Sequence, residues 1–224
     1  MPASTPDQAK TLAGVVADPV ASASGSTDLF GSNSVPFLLA VALWLGGLAT
    51  FLVLGAQPAR ALGSTRSSLS LALRAFAPAA LIGAIQGVVL TASMGGVLHL
   101  SPGGWIEFGA VAALSGVVFA AVNQGLVAVF RGVGRFVSVV IAVVALAVVV
   151  VSTVPAVLDS TFGLLPPSPA LAAMQAVSTG NGSVLGPVML LVLWALAGIG
   201  LTVAAIARHR VVPAGQLARW ARAA

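Results

Sequence analysis

Five long apolar runs, separated by short polar gaps, constrain this chain more than any other feature of its sequence. They cover residues 36–56, 75–98, 105–130, 136–158 and 184–207. About 20 residues of α-helix, rising ~1.5 Å each, cross a hydrocarbon core of ~30 Å. Because hydrocarbon offers backbone groups no partner, each run is predicted to be a membrane-spanning helix, the valine-rich fourth run included.

The composition agrees with a bilayer as the main solvent. Only 7% of the 224 residues are charged and 58% are hydrophobic, whereas a soluble domain carries about 25% charged residues. The ten basic residues lie in the tails and the short gaps and form no basic surface, so no nucleic-acid partner is expected. The chain has no cysteine, which excludes a thiolate metal site and a cysteine nucleophile.

Arginines occur on alternate sides of the predicted spans. Every arginine lies in gap one, gap three or the C-terminal tail, and the N-terminal tail and the other two gaps have none. The positive-inside rule therefore predicts an N-terminus outside the cell and a C-terminus in the cytoplasm. The residues predicted to mark the cytoplasmic side and meet lipid headgroups are Arg60, Arg66, Arg74, Arg131, Arg135, Arg208 and Arg210.

The polar segments complete the predicted organisation. Residues 1–34 form a polar extracytoplasmic tail, 35–210 the membrane module and 211–224 a basic cytoplasmic tail. The N-terminal tail lacks the basic region and short apolar core of a signal peptide. The gap between runs four and five has no basic residue, and 169–177 begins with a proline suited to a first helical position. We therefore expect a short outer-face helix there, before the last span.

The third gap, 131–135, is so short that it must be a tight reversal between two antiparallel helices. Its sequence is Arg-Gly-Val-Gly-Arg, and the two glycines are expected to allow the turn.

No motif for catalysis or cofactor binding stands out. The only lysine is Lys10, so no phosphate-binding loop can be formed, and neither H-E-x-x-H nor G-x-S-x-G occurs. No ionisable residue lies in the middle of any run, although proton-driven transporters place such groups there. We expect no catalytic, cofactor or metal site and no enzyme. An ATP-driven process would need a separate ATPase subunit.

Three amides within the runs are the candidate polar contacts: Gln86, Asn123 and Gln124. An unpaired amide in hydrocarbon is strongly unfavourable, so each must face protein or water. They either join helices or line a substrate path or a dimer seam. Side chains of adjacent residues point ~100° apart on a helix, so Asn123 and Gln124 are expected to find different partners. Gly83 and Gly87, spaced i and i+4, would allow close helix approach.

Several segments resemble the C-terminal membrane module of the YhgE/Pip (phage infection protein) family, which belongs to the ABC-2 type permease-like membrane proteins. They are NQGLVAVFRGVGRF, LLPPSPALAAMQAVSTGNGS, VVADPV and PFLLAVALWLGGLATFLVL. The resemblance implies five helices that follow a large outer domain, of which residues 1–34 would be the end. It implies a multi-pass protein of the bacterial plasma membrane that forms a homodimer and pairs with a separate ATPase.

Two functions follow from the resemblance. The first is an ABC-2 permease-like subunit that exports a lipophilic or cell-envelope substrate. The second is a non-transporting anchor or scaffold of a phage-receptor or type VII-like secretion component, with the outer domain on a separate chain.

Overall fold

The computed structural model describes residues 34–57, 65–95, 97–150 and 156–210. Both tails, and with them Arg60 in the first gap, lie outside these residues. The described part is helical and contains no strand. Its seven helices are α1 (Ser34–Val53), α2 (Ser68–Ser93), α3 (Pro102–Phe130), α4 (Gly132–Val150), α5 (Ala156–Gly163), α6 (Pro167–Thr179) and α7 (Leu185–His209).

Four helices, α1, α2, α3 and α7, are long and apolar enough to cross a membrane. Each overlaps one of the predicted runs, with its ends shifted by up to seven residues. The fourth run corresponds instead to α4 and α5, with 151–155 between them outside the described residues. The apolar part of α4, Gly132–Val148, is shorter than the other four helices. The protein is thus an all-helical chain with four candidate membrane-spanning helices in its described part.

Two helices begin earlier than predicted because serine side chains cap them. Ser67 Oγ accepts a hydrogen bond from Ser70 N at 3.2 Å and starts α2, so Arg74 lies within this helix and not in the preceding gap. Ser101 Oγ accepts from Gly104 N at 3.1 Å, and Pro102 follows at the first helical position of α3. Serine caps and a first-turn proline are common at helix starts, and hydropathy alone does not locate them.

Helix α3 is the centre of the bundle. It packs against α1, α2, α4, α6 and α7. In its C-terminal half nearly every side chain is buried, polar ones included. The neighbours of α3 contact it through small residues in some places and through large side chains in others.

Small residues bring α2 and α7 against α3. A Cβ atom added to Gly83 would overlap the carbonyl of Gly116, and one added to Gly87 would lie 2.5 Å from Ala112 O. On the α7 side, a Cβ atom on Gly125 would lie 2.6 Å from Gly198 O. The expected close approach at Gly83 and Gly87 is therefore present, and α3 is the helix that approaches.

A large aromatic pair joins α1 to α3. The rings of Trp44 and Phe119 are fully buried and meet edge to face, with centroids 5.2 Å apart and planes at 76°. Edge-to-face geometry is a favourable arrangement of two aromatic rings. The same core includes Ala170 and Met174 of α6, the short helix predicted before the last span. Helix α6 therefore packs into the bundle against α1, α3 and α7.

Candidate functional site

Asn123 joins α3 to α4 in the centre of the bundle. Its side chain is fully buried, and its Oδ1 accepts a hydrogen bond from Ser138 Oγ at 2.6 Å. Its Nδ2 donates to Phe119 O, one turn earlier in the same helix, at 2.9 Å. Both polar atoms of the amide are thus satisfied within the protein, as a group in a lipid-like interior requires.

A third helix joins this arrangement through Trp44. The indole Nε1 donates to the backbone oxygen of Ser138 at 2.9 Å, and the bond is buried. Trp44, Phe119, Asn123 and Ser138 therefore connect α1, α3 and α4, and we call them the Asn123 cluster. Sequence reasoning identified Asn123 but missed Trp44 and Ser138. A search of the apolar runs for every side chain with a polar atom would have found them.

Gln124, the next residue, has different partners. Its Nε2 donates to Ala56 O at 3.2 Å and Ala72 O at 3.4 Å, near the end of α1 and the start of α2. Its Oε1 is buried and has no hydrogen-bond partner. The two adjacent amides thus bond to different elements, and only that of Asn123 has all its hydrogen-bonding atoms engaged.

Gln86 of α2 lies against α1. A Cβ atom on Gly46 would lie 2.5 Å from Gln86 Oε1, which shows how closely the amide approaches the α1 backbone. This oxygen is also buried without a hydrogen-bond partner. The three predicted amides therefore share no hydrogen bond, and Gln86 and Asn123 lie against neighbouring glycines of α1, Gly46 and Gly47.

The turn between α3 and α4 is tighter than the two glycines explain. Arg131 has φ 53° and ψ −121°, and it is the only non-glycine residue with positive φ in the described part. Neither Gly132 nor Gly134 therefore supplies the positive φ of the turn. Gly134 does allow the two helices to pack tightly after it, because a Cβ atom there would overlap Leu126 O.

An open pocket of about 220 Å³ lies beside this turn, and we call it the arginine pocket. Its lining residues are Ala56, Gln57, Val127, Ala128, Arg131, Gly132 and Arg135. Arg135 Nη2 donates to Phe51 O at 3.1 Å, and Gln57 Nε2 donates to Ala128 O at 2.9 Å. These two bonds attach the end of α1 to the α3–α4 turn. Sequence reasoning treated both arginines only as markers of membrane side.

The other described arginines lie at the ends of α2 and α7. Arg210 Nη1 donates to Arg66 O at 2.8 Å and to Ser68 Oγ at 3.4 Å, which joins the end of α7 to the start of α2. Arg74 is exposed in the first part of α2, and Arg208 is exposed in the last turn of α7. All of these positions are helix ends that meet near one end of the bundle.

The described residues hold no group of three or more His, Cys, Asp or Glu side chains suited to a metal ion. The polar groups that the structure brings together are amides, hydroxyls, an indole and guanidinium groups. Such groups can bind helices, headgroups or anions. They provide no nucleophile paired with a base in the part of the chain that is described.

Two comparisons with known proteins were made, and neither the models of protein families nor the curated proteins give a match to this chain.

Proposed function

We propose that the chain crosses the bacterial plasma membrane five times, with its N-terminus outside and its C-terminus in the cytoplasm. The support is the clustering of arginines at one end of the bundle. Arg135 bonds the end of α1, and Arg210 bonds the segment before α2. Positive charge gathered at one end is typical of the cytoplasmic side.

Helix α4 is the additional crossing in this proposal. It starts at the arginine end, directly after the end of α3, whereas α7 finishes at that end beside Arg66. Helix α7 has 25 residues and so is about 37 Å long, which puts its first residue near the opposite end. The chain between the start of α4 and the start of α7 must therefore travel across the bundle.

Single cysteines test this threading, because the natural chain has none. Asn181→Cys, in the loop before α7, should react in intact cells with a maleimide that cannot cross membranes. Gly132→Cys, in the α3–α4 turn, should react only after the cells are permeabilised. The reverse pattern would overturn the orientation, and labelling of both in intact cells would overturn the fifth crossing.

For the function, we propose a permease-like membrane subunit that works with a separate ATPase to export a lipophilic or cell-envelope substrate. The observation that carries this proposal is the helical insert α5–α6. It precedes the last long helix, and Ala170 and Met174 pack it into the core. A short helical excursion before the last span is what the ABC-2 permease-like resemblance implies.

Purification of the tagged full-length chain from native membranes, together with deletion of its gene, tests this function. We expect an ATPase to co-purify in stoichiometric amount and one envelope lipid or polymer to accumulate inside the deletion strain. Co-purification without an ATPase, combined with an unchanged envelope composition, would contradict export.

A second candidate function, a non-transporting anchor, is favoured by the Asn123 cluster. The Asn123 side chain is fully buried, with its oxygen bonded to Ser138 of α4 and its nitrogen to Phe119 O of its own helix, so it is not accessible to a substrate. An anchor should co-purify with a chain that carries a large outer domain and with no ATPase. The same purification therefore separates the two candidates.

A further inference from the structure

The arginine pocket has room for a polyatomic ligand. Its volume of about 220 Å³ is far above the ~15 Å³ that a cavity needs to hold one water molecule. It opens beside the turn between α3 and α4, and both Arg131 and Arg135 contribute to its lining. A site of this size and charge suits an anion with several oxygen atoms.

Among the side chains that the structure describes, no carboxylate pairs with the positive charge of the pocket. Glu107 is the only acid whose side chain is described there, and it lies near the first turn of α3. Arg131 follows the last turn of the same helix, so the two residues are about 36 Å apart along the helix axis. Neither guanidinium of the pocket can therefore be neutralised by Glu107.

The hydrogen-bonding capacity of the pocket is also partly unused. Arg135 Nη2 donates to Phe51 O, but Arg135 Nε is buried and has no hydrogen-bond partner. Because Nε has almost no accessible surface, a ligand in the pocket cannot reach it. The Arg131 side chain is exposed and makes no hydrogen bond to another described residue, so its donors are free for a ligand. Helix α4 begins at Gly132 in the pocket wall, and α3 ends there at Phe130, so the dipoles of the two helix ends oppose each other and the positive charge comes from the arginines.

We propose that the arginine pocket binds a phosphate group through Arg131 and Arg135. Guanidinium groups bind phosphate oxygens through paired, charge-assisted hydrogen bonds. The phosphate comes either from the headgroup of an anionic lipid in the adjacent leaflet or from a soluble phosphate compound. This site does not depend on the proposed export or anchor function.

The test uses the full-length chain purified in an uncharged detergent, with thermal unfolding as the readout. One arm adds phosphatidylglycerol, with phosphatidylcholine of the same acyl chains as the neutral comparison. The other arm adds inorganic phosphate, with chloride at matched ionic strength. A ligand that binds the folded state raises the unfolding temperature as its concentration increases.

The variants are Arg131→Gln, Arg135→Gln and, as a charge-matched control, Arg208→Gln. Arg208 is exposed in the last turn of α7 and does not line the pocket. Because the Arg131 side chain is exposed and makes no hydrogen bond to another described residue, its variant keeps the fold even if Arg135→Gln does not. Each pocket variant should weaken ligand affinity about tenfold. Arg131→Lys should lose less, since it keeps the charge.

Each outcome of this test either supports the phosphate site or overturns it. A phosphatidylglycerol-specific rise that Arg131→Gln reduces and Arg208→Gln retains supports the site with a lipid ligand. The same pattern with inorganic phosphate supports it with a soluble ligand. No rise with either compound, or an equal reduction in Arg131→Gln and Arg208→Gln, would overturn the proposal.

Discussion

Helix α3 meets its neighbours in two different ways on its different sides. Towards α2 and α7 the contact is made by glycines, such as Gly83 against Gly116, and the helix backbones touch. Towards α1 and α4 the Asn123 cluster adds large and polar side chains to the contact, and Gly134 of α4 also lies closely against α3. The contact with α2 and α7 depends mainly on the absence of side-chain atoms, and the contact with α1 and α4 depends more on their presence.

The difference shows how a helix can be held in lipid, where burial of apolar surface supplies little force between helices. Close backbone contact gains dispersion energy over many atoms and tolerates no added atom. A hydrogen-bonded cluster gains from a few directed bonds and tolerates substitution better, because neighbouring side chains can relax. The two sides should therefore respond differently to mutation.

The largest effect is expected at the glycine side. Gly83→Ala adds a Cβ atom where it would overlap the carbonyl of Gly116, so α2 and α3 must separate and lose contact along their length. We expect the free energy of unfolding to fall by about 1–3 kcal/mol. Unfolding of the purified chain by sodium dodecyl sulfate in mixed micelles measures it.

Gly200→Ala is the matched control, because a Cβ atom on Gly200 of α7 meets nothing within 4 Å. There the substitution acts only through helix propensity, which favours alanine by up to about 1 kcal/mol. The two variants should thus have effects of opposite sign. Equal effects would mean that the glycine contact does not limit the approach of α2 to α3.

An intermediate effect is expected in the Asn123 cluster. Asn123→Leu removes the acceptor for Ser138 Oγ and the donor to Phe119 O. A double-mutant cycle of Asn123→Leu with Ser138→Ala should give a coupling free energy of about 0.6 kcal/mol, with ~1.7 as an upper bound. The same micelle titration measures each corner of the cycle.

Ser93→Ala provides the baseline for this cycle. Ser93 Oγ donates to Leu90 O within its own helix at 2.7 Å, so its loss should leave stability nearly unchanged. A coupling energy indistinguishable from zero would mean that the Asn123–Ser138 bond does not contribute to holding α3 and α4 together.

The smallest effect is expected at Gln86. The Oε1 atom of Gln86 is buried against α1 without a hydrogen-bond partner, which is unfavourable. Gln86→Leu removes this unfavourable atom and also removes the packing contact of the amide with α1, so the two effects partly cancel. We expect a change in unfolding free energy within about 0.5 kcal/mol, or a small gain. A loss above 1 kcal/mol in the micelle titration would show that this amide binds α1 more strongly than its geometry indicates.

Much of the fold follows from the sequence because hydropathy reports directly on lipid contact. Four apolar runs overlap α1, α2, α3 and α7, and the proline-led segment before the last run is α6. The fourth run overlaps α4 and the first residues of α5, and residues 151–155 between them lie outside the described residues.

The candidate sites could be predicted only in part, because their partners are distant in sequence. The position of Asn123 in an apolar run required a partner, but nothing local identified Ser138, since the register of two packed helices depends on the whole bundle. The positive φ of Arg131 could not be predicted either, because glycine is the residue that usually adopts a positive φ and two glycines follow in the same turn. Spacing at Gly83 and Gly87 indicated close approach but not which helix approaches.

The central position of α3 also has a consequence for the order of assembly. During synthesis α1 and α2 are made before the helix against which both of them pack. Until α3 follows, these two helices can contact only each other. Helix α7 is the last of the described long helices, and it packs Gly198 against Ala121 of α3. The described bundle is therefore complete only when α7 is made, and until then the side of α3 that meets α7 has no helix against it.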